Sequence, residues 1–174
     1  MIGKIIRRLP RPWLVKLYQF VPFQRFKDWA ACRAQAKFRL SVLGIITNRD
    51  GEVLLLKHVY RDEPWRIPGG WIDSEAPELA FRREIREETG FEVEYPELVK
   101  ALYYSKPDRV ELIYRAAVAS GSFQSNEEIS EMQFCSVGDW PEGMPEDQKR
   151  LIQSIFHHDD ELTRKPRILP YEQD

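Results

Sequence analysis

The run from Pro68 to Gly90 constrains this chain most, because there a Pro-Gly-Gly turn leads within a few residues into a short helix. Pro77 suits a first helical turn, where the N–H is unpaired anyway. Gly90 suits the left-handed residue that closes a helix. The spacing predicts a helix over 77–89, with Leu79, Ala80 and Ile85 among its supports. Ahead of it, Gly69 and Gly70 allow close backbone approach that a Cβ would block.

The flanks supply strands. Residues 40–47 (LSVLGIIT) read as a buried strand, rich in β-branched side chains, and 52–59 (EVLLLKHV) as its return. Between them Asn48-Arg49-Asp50-Gly51 reads as a tight turn, since Asp-Gly tolerates positive φ. Residues 62–71 read as a loop. Further strands are expected at about 92–95, 99–104, 110–119 and 132–136, and a last helix over 146–156, before a polar tail from His157 onward. Strands surrounding helices predict an α/β fold, a mixed sandwich.

The 174 residues suit one domain with modest extensions. No apolar run approaches the roughly 18 residues needed to cross a bilayer. Cys32 and Cys135 form neither a disulfide framework nor a zinc spacing, so a reduced intracellular setting is the default expectation. Residues 1–39 carry ten Lys or Arg and one acid, Asp28, a net charge of +9. The other 135 carry 16 against 27, a net charge of −11, and the two sum to −2. A basic leader therefore precedes an acidic body.

Residues 1–37 are expected to be a helical extension in which Trp13, Leu14, Leu17, Tyr18 and Val21 share one helical face. Three readings stay open. The aromatic face packs on the body or on a second subunit, giving a homodimer. Or it makes a peripheral membrane contact at an anionic surface. Nucleic-acid binding is the least favoured of the three. The expected location is cytoplasmic, with surface membrane association if the second reading holds.

Glu84, Glu87 and Glu88 stand at i, i+3 and i+4 of the predicted helix, so their carboxylates share a face. Like charges at this spacing repel, and they lie near the helix end that disfavours anions. Arg83 can pair with Glu87 and Arg82 with Glu78, giving an ordinary solvated face. The alternative is a divalent cation: hard oxygen donors without thiolates suit Mg²⁺ or Mn²⁺.

The segment Gly69 to Phe91 resembles the Nudix hydrolase box, Gly-x5-Glu-x7-Arg-Glu-U-x-Glu-Glu-x-Gly-U, through Gly69, Glu75, Arg83, Glu84, Ile85, Glu87, Glu88, Gly90 and Phe91. It departs from the commoner Gly-Gly-x-x-Glu-x-Gly-Glu opening by being one residue shorter, with Ser74 before Glu75. The resemblance covers roughly 38–157, leaving 1–37 as extension and 158–174 as tail. It implies an α/β/α sandwich with a mixed β-sheet, and hydrolysis of a diphosphate linkage in a nucleoside diphosphate derivative. It implies Glu84, Glu87 and Glu88 as holders of Mg²⁺ or Mn²⁺, and Arg83 as the residue that orients a glutamate. Gly69 and Gly70 would shape the substrate loop, with the Pro68 or Gly69 carbonyl a candidate metal ligand. For the general base, Glu88 and Glu84 stand ahead of the later-loop Glu127 and Glu128.

The substrate stays open. Pro107, 16 residues after Phe91, resembles the proline placement of ADP-ribose pyrophosphatases in this family, or is simply a hairpin turn. Arg39, Arg61, Trp65, Tyr103 and Phe134 are candidates to pair with phosphate or stack on a base, Arg61 and Tyr103 foremost. No histidine is assigned to catalysis. ADP-ribose or a nucleotide sugar is favoured; a nucleoside triphosphate pyrophosphohydrolase and a non-catalytic ligand sensor are the alternatives. The intact glutamate set speaks against the sensor.

Overall fold

The computed structural model describes Trp29, Arg33 and residues 37–164, with side chains as far as His157. Trp29 and Arg33 are helical, the guanidinium 5.3 Å from the indole centroid. The rest of the expected helical extension lies outside the described residues. The chain divides into two units at Phe38/Arg39, and the second holds the sheet.

Seven strands and two helices follow one another: β1 (Arg39–Thr47), β2 (Val53–His58), β3 (Trp65–Arg66), β4 (Gly69–Trp71), α1 (Pro77–Thr89), β5 (Phe91–Ser105), β6 (Asp108–Gly121), β7 (Ile129–Cys135) and α2 (Glu146–Arg164). The sheet runs β3-β2-β1-β6-β5, with β4 added on β1 and β7 on β2. β1 and β6 are parallel from Arg39↔Arg109 to Thr47↔Ala117, and the other pairings are antiparallel. This is the mixed-sheet α/β/α sandwich that the sequence predicts.

Alternation along each strand makes the two faces. Val42, Ile46, Leu54, Leu56 and Ala116 join Ala80, Phe81 and Ile85 of α1 on one side, where Phe81 stacks on Tyr114 at 4.9 Å. Ile45, Val53, Leu55 and Ile113 join Ile152 and Ile155 of α2 on the other. Each such fully buried Leu or Ile contributes about 1.5–3 kcal/mol relative to exposure. The core therefore anchors α1 from Ala80 to Ile85, and the glutamates ride on that fixed element.

The predicted helix boundaries hold: α1 begins at Pro77, and Gly90 closes it at φ 75°. The 48–51 turn also forms, organised by Asn48, whose Oδ1 accepts from the N–H groups of Asp50 and Glu52. Three expectations need correcting. The residues read as two strands at 92–95 and 99–104 form one long strand, β5. Pro96 has no N–H to donate, and β5 absorbs it with register shifts and Tyr95 at φ 52° rather than by ending. The 62–71 loop contains the short strands β3 and β4. The last helix continues past Phe156 to Arg164, because no Gly or Pro interrupts the polar stretch until Pro166.

Candidate active site

The helix spacing that sets Glu84 and Glu88 one turn apart aims both at β4. Gly70 lies so near Glu84 that a Cβ there would run into its carboxylate. The Gly69 N–H donates to Glu88 Oε2 at 2.7 Å. Two consecutive glycines thus face two carboxylates of one helical face. Gly69 has φ 141°, and a Cβ on it would collide with the Val42 carbonyl oxygen, so only glycine suits the position. The Pro68 carbonyl accepts from Gly44 N–H at 2.8 Å, so a structural bond already uses it.

Arg83 is the hub of the acidic side. Its Nε and Nη2 donate to Glu75 Oε1 at 3.0 and 2.7 Å, its Nη1 to Glu84 at 2.9 Å and Glu87 at 3.1 Å, and Nη2 also to the Trp71 carbonyl. Hydrogen bonds to Glu75 and then to Glu84 hold the guanidinium above its ordinary range. The departure from the common loop thus still delivers Glu75 to Arg83. The expected Arg82–Glu78 pair is present as well, at 3.2 Å.

Burial pushes the Glu88 carboxyl up to about 8, opposed by the Gly69 N–H and reinforced by the charges of Glu84 and Glu128. Glu84 is raised too, by burial, against the pull of Arg83. Of the two later-loop glutamates, Glu128 is the one whose charge acts on Glu88. Asn126 fixes that loop: its Oδ1 accepts from the Glu128 and Ile129 N–H groups, and its Nδ2 donates to the Glu87 carbonyl at 3.3 Å. Among the described residues no three carboxylate, imidazole or thiol groups stand converged as a ready cation cage. Arg83 engages Glu84 and Glu87 while Gly69 engages Glu88.

Beyond Gly69 and Gly70 a cleft of about 330 Å³ opens over the sheet, walled by Asp147, Gln148 and Leu151 at the start of α2. Arg39, Arg61, Arg66 and Arg109 line it against Glu111 and Asp147, a cationic recess in an acidic body. Sheet register explains the assembly: Arg39 is opposite Arg109 and Arg109 opposite Tyr104, while Ser41 is opposite both Trp71 and Glu111. The Arg109 guanidinium lies 4.1 Å from the Tyr104 ring centroid and is held by Glu111 at 2.8 Å.

Arg39 and Arg61 reach this cleft, as do Gly69, Gly70 and Pro107, the last within the β5–β6 hairpin turn. Tyr103 is exposed, its hydroxyl bonded to Asp108 at 2.6 Å; its neighbour Tyr104 lines the cleft. Trp65 packs in the α2-side core and Phe134 against the α1-side core. Sequence reasoning missed Ser41, Arg66, Tyr104, Arg109 and Glu111. The one available signal was parity: Arg39, Ser41 and Leu43 share a face of β1.

The NUDIX domain family model matches residues 37–155. A MutT-like protein of Streptomyces ambofaciens is 29% identical over 108 residues, 62% of this chain and 70% of its own length. An RNA pyrophosphohydrolase of Aeromonas hydrophila is 47% identical over 58 residues, and the match spans about a third of each chain (33%). Among solved structures, a MutT Nudix hydrolase from Burkholderia pseudomallei superposes with a TM-score of 0.60 at 25% identity, over 69% of this chain and 99% of that one. An ADP-ribose pyrophosphatase from Streptococcus suis shares the fold, with a TM-score of 0.58 at 24% identity over 76% and 97%. With the box on α1 and the sandwich around it, the chain belongs to the Nudix hydrolase family. Its enzymatic class is that of a pyrophosphohydrolase, and enzymes of this family generally use divalent metals. No helix among the described residues is long and apolar enough to cross a membrane.

Proposed function

We propose that this chain hydrolyses the diphosphate linkage of a nucleoside diphosphate derivative, with ADP-ribose or a nucleotide sugar as the favoured class. The observation that carries this reading is the junction at Gly69 and Gly70, where a glutamate-bearing helix meets a cleft lined by four arginines. A diphosphate spanning that junction has its charge addressed from both sides. Pro107 in the cleft lining supports the ADP-ribose class.

The donor set fits a hard divalent cation: Glu84 and Glu88 are held above their ordinary range by burial first, and then by neighbouring carboxylates, Glu87 and Glu75 for Glu84 and Glu84 and Glu128 for Glu88, which a bound cation would relieve. Glu84, Glu87 and Glu88 would hold Mg²⁺ or Mn²⁺, with Glu84 and Glu87 turning from Arg83 to do so. When bound, such an ion neutralises phosphate charge and lowers the pKa of an attacking water. Arg83, still tied to Glu75, keeps the helix face and the β4 loop in register. Glu88, or Glu84, takes the proton from water, with Glu128 the later-loop candidate. Arg61, whose charge acts on Glu88, receives phosphate charge at the cleft mouth.

The relative named an RNA pyrophosphohydrolase favours a second reading, release of pyrophosphate, here from a nucleoside triphosphate. A mass-resolved screen with Mg²⁺ against ADP-ribose, nucleotide sugars, dinucleoside polyphosphates and nucleoside triphosphates separates them. AMP plus a phosphosugar is the expected result; nucleoside monophosphate plus pyrophosphate would replace it with the second reading. We also infer a cytoplasmic location, with residues 1–37 serving a subunit or membrane contact. Sedimentation and vesicle flotation unchanged on deleting them would refute that contact.

A further inference from the structure

Two buried polar atoms without a hydrogen-bond partner among the described residues belong to residues that line the cleft: Ser41 Oγ and His58 Nδ1. Both residues are only 7% exposed, and both line the cavity. The third such atom, Trp140 Nε1, is not in the cleft lining. A buried polar group without a partner destabilises a fold. Two of them on residues that line the same cavity therefore point to a ligand that supplies the missing partners.

Their placement says which part of a ligand this is. Ser41 stands opposite Trp71 in the β1–β4 pairing, the residue next to Gly70. His58 ends β2, and its imidazole feels the charge of Arg61, which also acts on Glu88. Ser41 is thus beside the glycines that face the glutamates, and His58 is in electrostatic reach of the arginine that acts on Glu88. Surrounding arginines suit the phosphates, but Ser41 and His58 do not need an anion. Burial, with Arg61 and Arg66 adding to it, disfavours a charge on His58. A serine hydroxyl and a neutral imidazole are matched by a group that both donates and accepts, which is an alcohol. The nucleoside's own ribose carries such hydroxyls in every nucleoside diphosphate derivative, whichever group leaves.

We propose that Ser41 and His58 are specificity-determining residues that hydrogen-bond the ribose hydroxyls of the nucleoside attached to the diphosphate. This rests on the diphosphate reading above for what lies at Gly69 and Gly70, but not on which group leaves. A site built around a hydroxyl discriminates against ligands lacking it, because its own polar atoms stay unpaired.

The test is calorimetric titration of the full chain with Mg²⁺, using ADP, 2′,3′-dideoxy-ADP and inorganic pyrophosphate, with nucleotide integrity checked by mass. The wild-type chain should bind ADP at least about tenfold tighter than the dideoxy analogue. Ser41→Ala and His58→Phe should each bring that ratio toward one and leave pyrophosphate affinity unchanged. A merely structural role predicts loss of stability, whereas here Ser41→Ala should leave the melting temperature equal or higher, since its Oγ loses no bond. Equal affinity for the two nucleotides, an unchanged ratio in both variants, or pyrophosphate binding without nucleotide binding would each overturn the proposal. Absence of ADP-ribose turnover with the hydroxyl preference intact would reject the favoured substrate and support this assignment.

Discussion

The two sides of the Gly69–Gly70 junction are electrostatic opposites. On the α1 side one cation, Arg83, is shared among Glu75, Glu84 and Glu87, and among the described residues Glu88 has no cationic hydrogen-bond partner. On the cleft side four arginines face Glu111 and Asp147. Either side alone would be ordinary: an over-acidic helix face, or a basic recess. Together they suit the ligand proposed above, a polyanion that arrives with a cation. The acidic side sets four carboxylates against one guanidinium, an excess that the proposed divalent ion would reduce, whereas the cleft side carries its own cations.

That contrast can be broken most severely at the glutamates. A Glu87→Gln, Glu88→Gln double variant should lose about 10²–10⁴-fold in turnover with an unaltered circular dichroism spectrum. Unchanged turnover would remove the acidic side from the chemistry. Arg83→Ala comes next. It touches no substrate atom in this account but ties Glu75 and the β4 loop to the helix face that carries the metal-holding glutamates, so a loss of about 10–100-fold is expected, as for other residues that act behind metal ligands. Arg83→Lys should recover little, because one ammonium cannot repeat the fork to Glu75, Glu84 and Trp71.

The smallest effect is on stability and appears only in metal-free protein. Glu88, raised to about 8, keeps a proton when folded that the unfolded chain releases above about 4.5, so its contribution falls as pH rises toward 8. His58, lowered from 6.5 to about 4, is neutral when folded, so its contribution grows with pH between about 4 and 6.5. The two oppose each other below pH 6.5. Between pH 6.5 and 8 Glu88 acts without His58, and stability should fall by about 2 kcal/mol at most. Urea midpoints of chelator-treated protein should show the decline, and Glu88→Gln should flatten it. A decline that persists in Glu88→Gln would assign it to another group.

The same comparison explains what could be read from the chain alone. The acidic side is local: a helix between Pro77 and Gly90 sets Glu84, Glu87 and Glu88 by i, i+3, i+4 geometry, and Arg83 is their immediate neighbour. The cleft is assembled by register between β1, β4 and the β5–β6 hairpin, segments separated in sequence. Its members become neighbours only once Arg39↔Arg109 and Ser41↔Trp71 are aligned. Tyr103 and Tyr104 are adjacent residues of one type, so residue type alone does not say which lines the cleft. His58 was read correctly as a strand residue, but no pattern in EVLLLKHV marks its Nδ1 as buried and unpartnered. The helix continuing to Arg164 went unread because polar residues without Gly or Pro are as compatible with a helix as with a tail.

The most direct test of the central claim is Mn²⁺ binding followed by electron paramagnetic resonance, wild type against the Glu87→Gln, Glu88→Gln double variant, at pH 6.5 and pH 8. Specific binding that tightens toward pH 8, as the Glu88 proton is displaced, and that the double variant loses is the predicted result. Equal binding by both proteins, or none by the wild type at either pH, would contradict the account.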